Sequence, residues 1–156
     1  MHGAADVGSA SWLVCRAGAH LCALPLKSVV ETMRPLPIEK LAHAPRFVRG
    51  LSIIRGVPLP VVDIGPLFGE SHDRPQRLVT VNVGSRHIAI GVDSVLGVQS
   101  IPSATSTSLP PLLQGADGDV VSAIGMLDTE FLLFLQVARI IADDMFEELT
   151  PAGLTQ

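Results

Sequence analysis

Sliding this sequence by 66 positions sets Leu13 to Met33 beside Val79 to Gln99, with identities at Gly18/Gly84, Ala23/Ala89, Ser28/Ser94 and Val29/Val95. Most other pairs in the overlap exchange one apolar residue for another. A recurrence of this length points to one supersecondary unit used twice, so the fold has to accommodate two similar halves. Each copy reads as an alternating strand, a glycine turn, a second alternating strand and a third extended stretch. In the first copy these are Trp12 to Ala17, His20 to Leu26 and Val30 to Arg34; in the second they are Arg77 to Val83, Arg86 to Val92 and Leu96 to Ile101.

Each copy is followed by a further hairpin-like pair, Val48 to Ile54 with Val57 to Asp63, then Val120 to Leu127 with Glu130 to Gln136. About five short strands per half, with Gly and Pro punctuation, predict an all-β protein of two small antiparallel barrels. Closure removes the edges that an open five-stranded sheet would expose. The first barrel is expected over about residues 12–68 and the second over about 77–136, with a common core and with exchange of strands between the halves left open. Val137, Ile140, Ile141, Met145 and Leu149 recur at near-helical spacing, which predicts one C-terminal amphipathic helix over 137–149, ended by Pro151 and followed by a tail at 150–156.

The connections carry less information. Pro35 to Pro45 contains three prolines and reads as an ordered connector, and Gly69 to Pro75 as the junction of the halves. Pro102 to Asp119 is longer than a hairpin needs, and is either a mobile, partner-contacting loop or a tolerated surface loop. Residues 1–10 lack a basic start and a hydrophobic run, so they read as a disordered lead and not a signal peptide, and the chain is expected to be cytoplasmic.

Composition narrows the function. The 11 basic residues are thinly spread on a chain of net charge −4 without aromatic interleaving, so nucleic acid is not an expected partner. No apolar run approaches the ~20 residues that cross a bilayer. Cys15 and Cys22 flank Gly18-Ala19 and would face each other across a hairpin; a disulfide is geometrically conceivable, but two small core residues in a reducing compartment is the stronger reading. Five scattered histidines have no metal-ligand spacing, so no metal or cofactor is expected. No nucleophile elbow, phosphate loop or close carboxylate pair points to an enzyme.

The stretch from Phe47 to Ile64 combines two strands with a turn at Arg55-Gly56 and resembles the signature of the CheW-like family at Phe47, Val48, Gly50, Arg55, Gly56, Pro60, Val61 and Asp63. Similarity continues through the opening hairpin to Glu31, through Gly91 to Val98, and from Gly125 to Ile141. The resemblance implies a pair of five-stranded SH3-like barrels without an active site. One surface would hold the regulatory domain of a CheA-type histidine kinase and another the cytoplasmic tip of a methyl-accepting chemoreceptor. It also implies a chemotaxis adaptor at membrane-bound receptor arrays, with no insertion into the membrane.

On that resemblance Arg55 is the leading partner-binding residue. A planar five-donor head at a hairpin tip suits an interface more than a turn requires. Glu31 is expected near it as an ion pair that orients the guanidinium. Gly56 has a structural reason of its own, the positive φ that closes the hairpin. Val29 and Met33 flank Glu31 at alternating positions and Val98 holds a comparable place in the second half; a groove between barrels and ordinary core packing both account for them. Asp63 is expected to cap the helical turn that follows it.

Two departures from the family pattern stand out. Ile53 replaces a common asparagine beside the expected interface. Pro58 adds a second proline before Pro60, so one side of that strand must be an edge or face a bulge. A scaffold for a non-flagellar chemosensory pathway and a small-molecule sensor are the alternative functions.

Overall fold

Short stretches of apolar and polar alternation, closed by two-residue turns, become antiparallel hairpins. The computed structural model describes residues 9–68, 74–102, 107–108 and 120–141, and among them eleven strands. In chain order these are β1 Ser9–Ala17, β2 His20–Pro25, β3 Val29–Met33, β4 Val48–Ile54, β5 Val57–Asp63, β6 Arg77–Val83, β7 Arg86–Val92, β8 Ser94–Pro102, β9 Thr107–Ser108, β10 Val121–Leu127 and β11 Glu130–Leu135. Among the same residues one α-helix of four residues, α1 Ile64–Leu67, follows β5.

The strands form two sheets, ordered β8-β1-β2-β11-β10-β9 and β3-β6-β7-β5-β4. These orders reveal what the internal repeat does. Each sheet takes its first hairpin from one half of the chain and its third strand and second hairpin from the other. Strand β8 beside β1-β2 answers β3 beside β6-β7, and the parallel contact β11–β2 answers β5–β7. Division at 12–68 and 77–136 is therefore not the division by sheet, because the hairpins change places between the halves.

Alternation then buries both faces of each sheet. Leu13, Cys15, Cys22 and Leu24 from one sheet meet Val62, Val79, Ile88 and Ile90 from the other in a common core, joined by Ile64 and Leu67 of α1. The opposite faces enclose smaller cores private to each sheet: Val14, Leu21, Ala23, Ile101, Leu132 and Phe134 in one, and Ile54, Leu59, Val61, Leu78 and Ala89 in the other. A sheet with a core on its own concave side has to curl. In the five-stranded sheet the segment after β3 closes back on β4 through a two-way backbone bridge, Glu39 N–H to Leu51 O at 2.7 Å and Leu51 N–H to Glu39 O at 2.8 Å.

Several boundaries differ from the sequence reading. β1 begins at Ser9 because Ser9 to Trp12 pair with Gln99 to Pro102 of β8, so the expected lead is shortened, and residues 1–8 lie outside the described ones. The C-terminal helix is represented by one 3-10 turn, Val137–Arg139, which leads into buried Ile140 and Ile141; the remainder of 137–149 and the tail at 150–156 lie outside the described residues. Thr107–Ser108 of the long loop adds β9 beside β10. Residues 103–106 and 109–119 lie outside the described part. Cys15 and Cys22 are register partners, and both are buried with no disulfide between them.

Candidate functional site

The β4–β5 hairpin pairs Ile54 with Val57, leaving Arg55 and Gly56 as its two turn residues. Both are left-handed, with φ of 54° and 80°. That is the twist a two-residue hairpin needs, and glycine adopts it freely. Arginine does so against steric resistance that asparagine or glycine would largely avoid. At the tip of the hairpin the Arg55 side chain projects outward, 77% exposed.

There it meets Glu31 in a two-pronged pair, Nε to Oε2 at 2.8 Å and Nη2 to Oε1 at 2.7 Å. Glu31 is aimed by a bulge. Val29 stands opposite Val81 while Glu31 stands opposite Thr80, and the Thr80 hydroxyl donates to the Glu31 carbonyl at 3.4 Å. The hydrogen bond from Arg55 holds the Glu31 carboxyl below its ordinary value. One carboxylate fixes the guanidinium plane and leaves the rest of its rim to solvent.

Apolar side chains surround this pair. Ile53 is 65% exposed, and Val57 and Val30 are about half exposed. Ile53 thus places apolar surface beside Arg55. β5 joins β7 only from Val61 onward, so the segment carrying Pro58 and Pro60 is a local edge on that side. Val29 and Met33 are half-buried against the common core and the private core of their sheet, respectively. Val98 is exposed on β8, the edge of the other sheet.

Two features had no counterpart in the sequence reading. Asp63 makes no side-chain cap on α1; fully buried, it accepts the Arg49 Nε–H at 2.7 Å, because a carboxylate at zero exposure needs a cation more than a four-residue helix needs a cap. The β10–β11 hairpin carries a second exposed apolar patch, Met126 opposite Phe131, with Phe131 69% exposed. Beside it, Arg16 pairs with Glu130 through two bonds of 3.1 and 2.8 Å. An apolar run from Phe131 to Leu135 was visible in sequence, but not that its first member stands in solvent.

The described residues hold no group of three or more His, Cys, Asp or Glu placed for a metal ion, and no helix among them is long and apolar enough to cross a membrane. What the described surface presents here is a guanidinium oriented by Glu31 with the exposed apolar side chains Ile53, Val57 and Val30 around it.

The fold is that of a β domain built of two curled sheets. The sequence model of the CheW-like domain matches residues 11–145, and the chain belongs to that family. It is 24% identical over 110 residues to the chemotaxis protein CheW of Klebsiella aerogenes, covering 69% of this chain and 66% of that one. It is 33% identical over 103 residues to protein FrzA of Myxococcus xanthus, covering 64% of this chain and 63% of FrzA. These matches span just under two thirds of each relative's length. Its fold is similar to that of the scaffolding protein TtCheW from Thermoanaerobacter tengcongensis, with a TM-score of 0.72, 23% identity and coverage of 81% of this chain and 88% of that one.

Proposed function

We propose that this protein is a non-catalytic adaptor of chemotaxis signal transduction, coupling the cytoplasmic tips of chemoreceptors to the regulatory domain of a CheA-type histidine kinase. It would work in the cytoplasm at receptor arrays. Membership of the CheW-like family supports the general role. The private core inside each curled sheet supports two SH3-like barrels as the rigid body that transmits receptor geometry.

The observation that carries the reading is Arg55, an exposed arginine held in a strained turn and oriented by Glu31 among the exposed Ile53, Val57 and Val30. Arginine with a surrounding apolar ring is the composition of an interface hot spot. Strain kept at an exposed position, where an unstrained residue would serve the fold as well, points to selection for binding. Glu31, Gly56 and Ile53 belong to the same surface, whereas Val29 and Met33 are half-buried against the common core and the private core, respectively. Val98, on the other sheet, would serve the second partner.

Calorimetric titration with the regulatory domain of each CheA-type kinase from the same organism tests this. Saturable one-to-one binding to one kinase is expected, lost in Arg55→Ala and kept in the distant charge control Arg139→Ala. Binding to none of the folded kinase domains would remove the coupling role; equal loss in both variants would remove Arg55 from the interface.

A further inference from the structure

Away from the Arg55 surface, the connector after β3 forms one wall of a cavity of about 580 Å³, lined by Pro35, Leu36, Pro37, Ile38, Lys40, Arg49, Arg74 and Pro75. Among the described residues the lining contains three cations, of which Arg49 is paired with Asp63, and no carboxylate. Seven of the chain's 11 Lys and Arg residues fall between positions 34 and 77, although the protein as a whole is acidic at −4. The cavity is thus a local inversion of the molecule's charge.

Its walls are built in advance. The Pro37 carbonyl accepts the Ser52 hydroxyl at 2.8 Å, and the Glu39–Leu51 bridge pins the far end of the connector. Opposite, Pro75 lies so close to Gly91 that an added Cβ would stand 2.6 Å from the proline ring. Arg49, the cation nearest the protein interior, is fixed by Asp63. Arg34 and Leu36 each precede a proline, which biases them to an extended backbone and restricts the apolar Pro35–Ile38 wall. A restricted wall lowers the ordering cost of binding an extended ligand. The cations stand on three different segments, so a ligand that meets them all needs several separated negative groups.

We propose that this cavity is a docking groove for an acidic, extended peptide segment of a partner protein. The peptide's apolar side chains lie along the proline wall, and its carboxylates meet Lys40, Arg49 and Arg74. The groove shares no lining residue with the surface proposed for the kinase and would give the adaptor a further, charge-selected contact.

The test is fluorescence anisotropy of a short labelled peptide alternating glutamate and leucine, with the glutamine-for-glutamate peptide as control. Lys40→Glu combined with Arg74→Glu changes two exposed side chains and leaves Arg49, which holds Asp63, intact. Saturable binding of the acidic peptide is expected, weakening as salt rises and falling roughly 10-fold or more in the double variant. Arg86→Glu with Arg139→Glu makes the same change in net charge elsewhere and should leave binding nearly unchanged. Absence of saturable binding, equal binding of the glutamine peptide, or equal loss in the charge control would each overturn the proposal. Displacement of the peptide by inorganic phosphate at matched concentration would also overturn it, since the groove would then select a lone anion.

Discussion

Arg55 and Glu31 join the two ends of one sheet: the arginine sits in the turn beside β4, the glutamate on β3, and β3 and β4 are the outermost strands of the order β3-β6-β7-β5-β4. The pair is therefore possible only because the sheet curls. At the matching places in the other sheet stand Gly97, by the 66-residue offset, and Asp128, by its place in the hairpin turn. Asp128 shares the left-handed backbone, with φ of 56°, without the arginine. The strained turn belongs to the fold, whereas the guanidinium belongs to this surface alone.

That separation yields a prediction in which stability and binding move in opposite directions. Asparagine tolerates the left-handed conformation better than arginine, and Asn-Gly is the preferred two-residue hairpin turn. Arg55→Asn should therefore raise the melting temperature while weakening binding of the kinase regulatory domain by roughly 10-fold or more. Calorimetric melting alongside titration measures both. A melting temperature lowered along with binding would make Arg55 a structural residue.

Acid should remove the contribution of the exposed ion pairs. Glu31 and Glu130 are both held below their ordinary value of 4.5, first by hydrogen bonds from Arg55 and Arg16. A carboxyl lowered in the folded state contributes stability above its unfolded value and loses it as pH falls through the folded one. Both pairs are solvent-exposed, so the effect is small. Urea midpoints of the wild type should exceed those of the Glu31→Gln, Glu130→Gln double variant at neutral pH and converge with them as pH falls below 4.5 and both carboxyls take up their protons. A gap that persists in acid would assign the difference to packing.

Asp63 should matter far more than its expected role as a helix cap implied. Asp63→Ala leaves the half-buried Arg49 guanidinium facing a space that no longer holds its carboxylate. Breaking a buried pair from one side costs about 3 kcal/mol or more, against about 1 kcal/mol for a lost cap. Urea denaturation at neutral pH distinguishes the two, and a loss near the smaller figure would mean that Arg49 finds solvent instead.

Gly50 offers a sharper backbone test. Its φ is +144°, and a Cβ there would stand 2.0 Å from the Glu39 carbonyl oxygen, in the bridge that closes the sheet. Gly50→Ala should destabilise by about 3 kcal/mol or more, in the range of strain at special backbone positions. Gly56→Ala meets nothing within 4 Å and should cost less, through its positive φ alone.

The hairpins were legible because alternation and turn chemistry are local: β4, β5, β6 and β7 begin and end where their sequences imply. The repeat was legible too, since both sheets have the same five-strand order. Partners across the halves were not, because nothing local in β2 or β11 marks their parallel contact. Side-chain exposure was only half readable. Alternation placed Val29, Glu31 and Met33 on one face, but the bulge between Val29 and Glu31 turns Val29 to the common core while Met33 meets the private core, and whether neighbours cover a face depends on how far the sheet curls. The same blindness hid Phe131. Arg49 and Asp63 are 14 residues apart and meet only when β4 and β5 pair, so no single strand betrays them.

Curling also decides the chemistry of the two thiols. Cys15 and Cys22 face each other in register on the side of the sheet that meets the common core, and burial pushes the Cys15 thiol up from 9.0 to about 12. The thiolate is the reactive form, so at neutral pH Cys15 is nearly inert. A disulfide-exchange reagent such as DTNB should label neither cysteine in the native protein and both after unfolding in urea. The same shift gives a pH dependence of opposite sense to that of the carboxyls. The folded state holds the thiol proton more tightly than the unfolded state, so this contribution is complete below 9.0 and is lost as pH rises toward about 12. Alkaline melting should therefore fall more steeply in the wild type than in Cys15→Ala. Native-state labelling at neutral pH, at a rate near that of a free thiol, would mean that the sheet opens there and that the common core is not closed around β1 and β2.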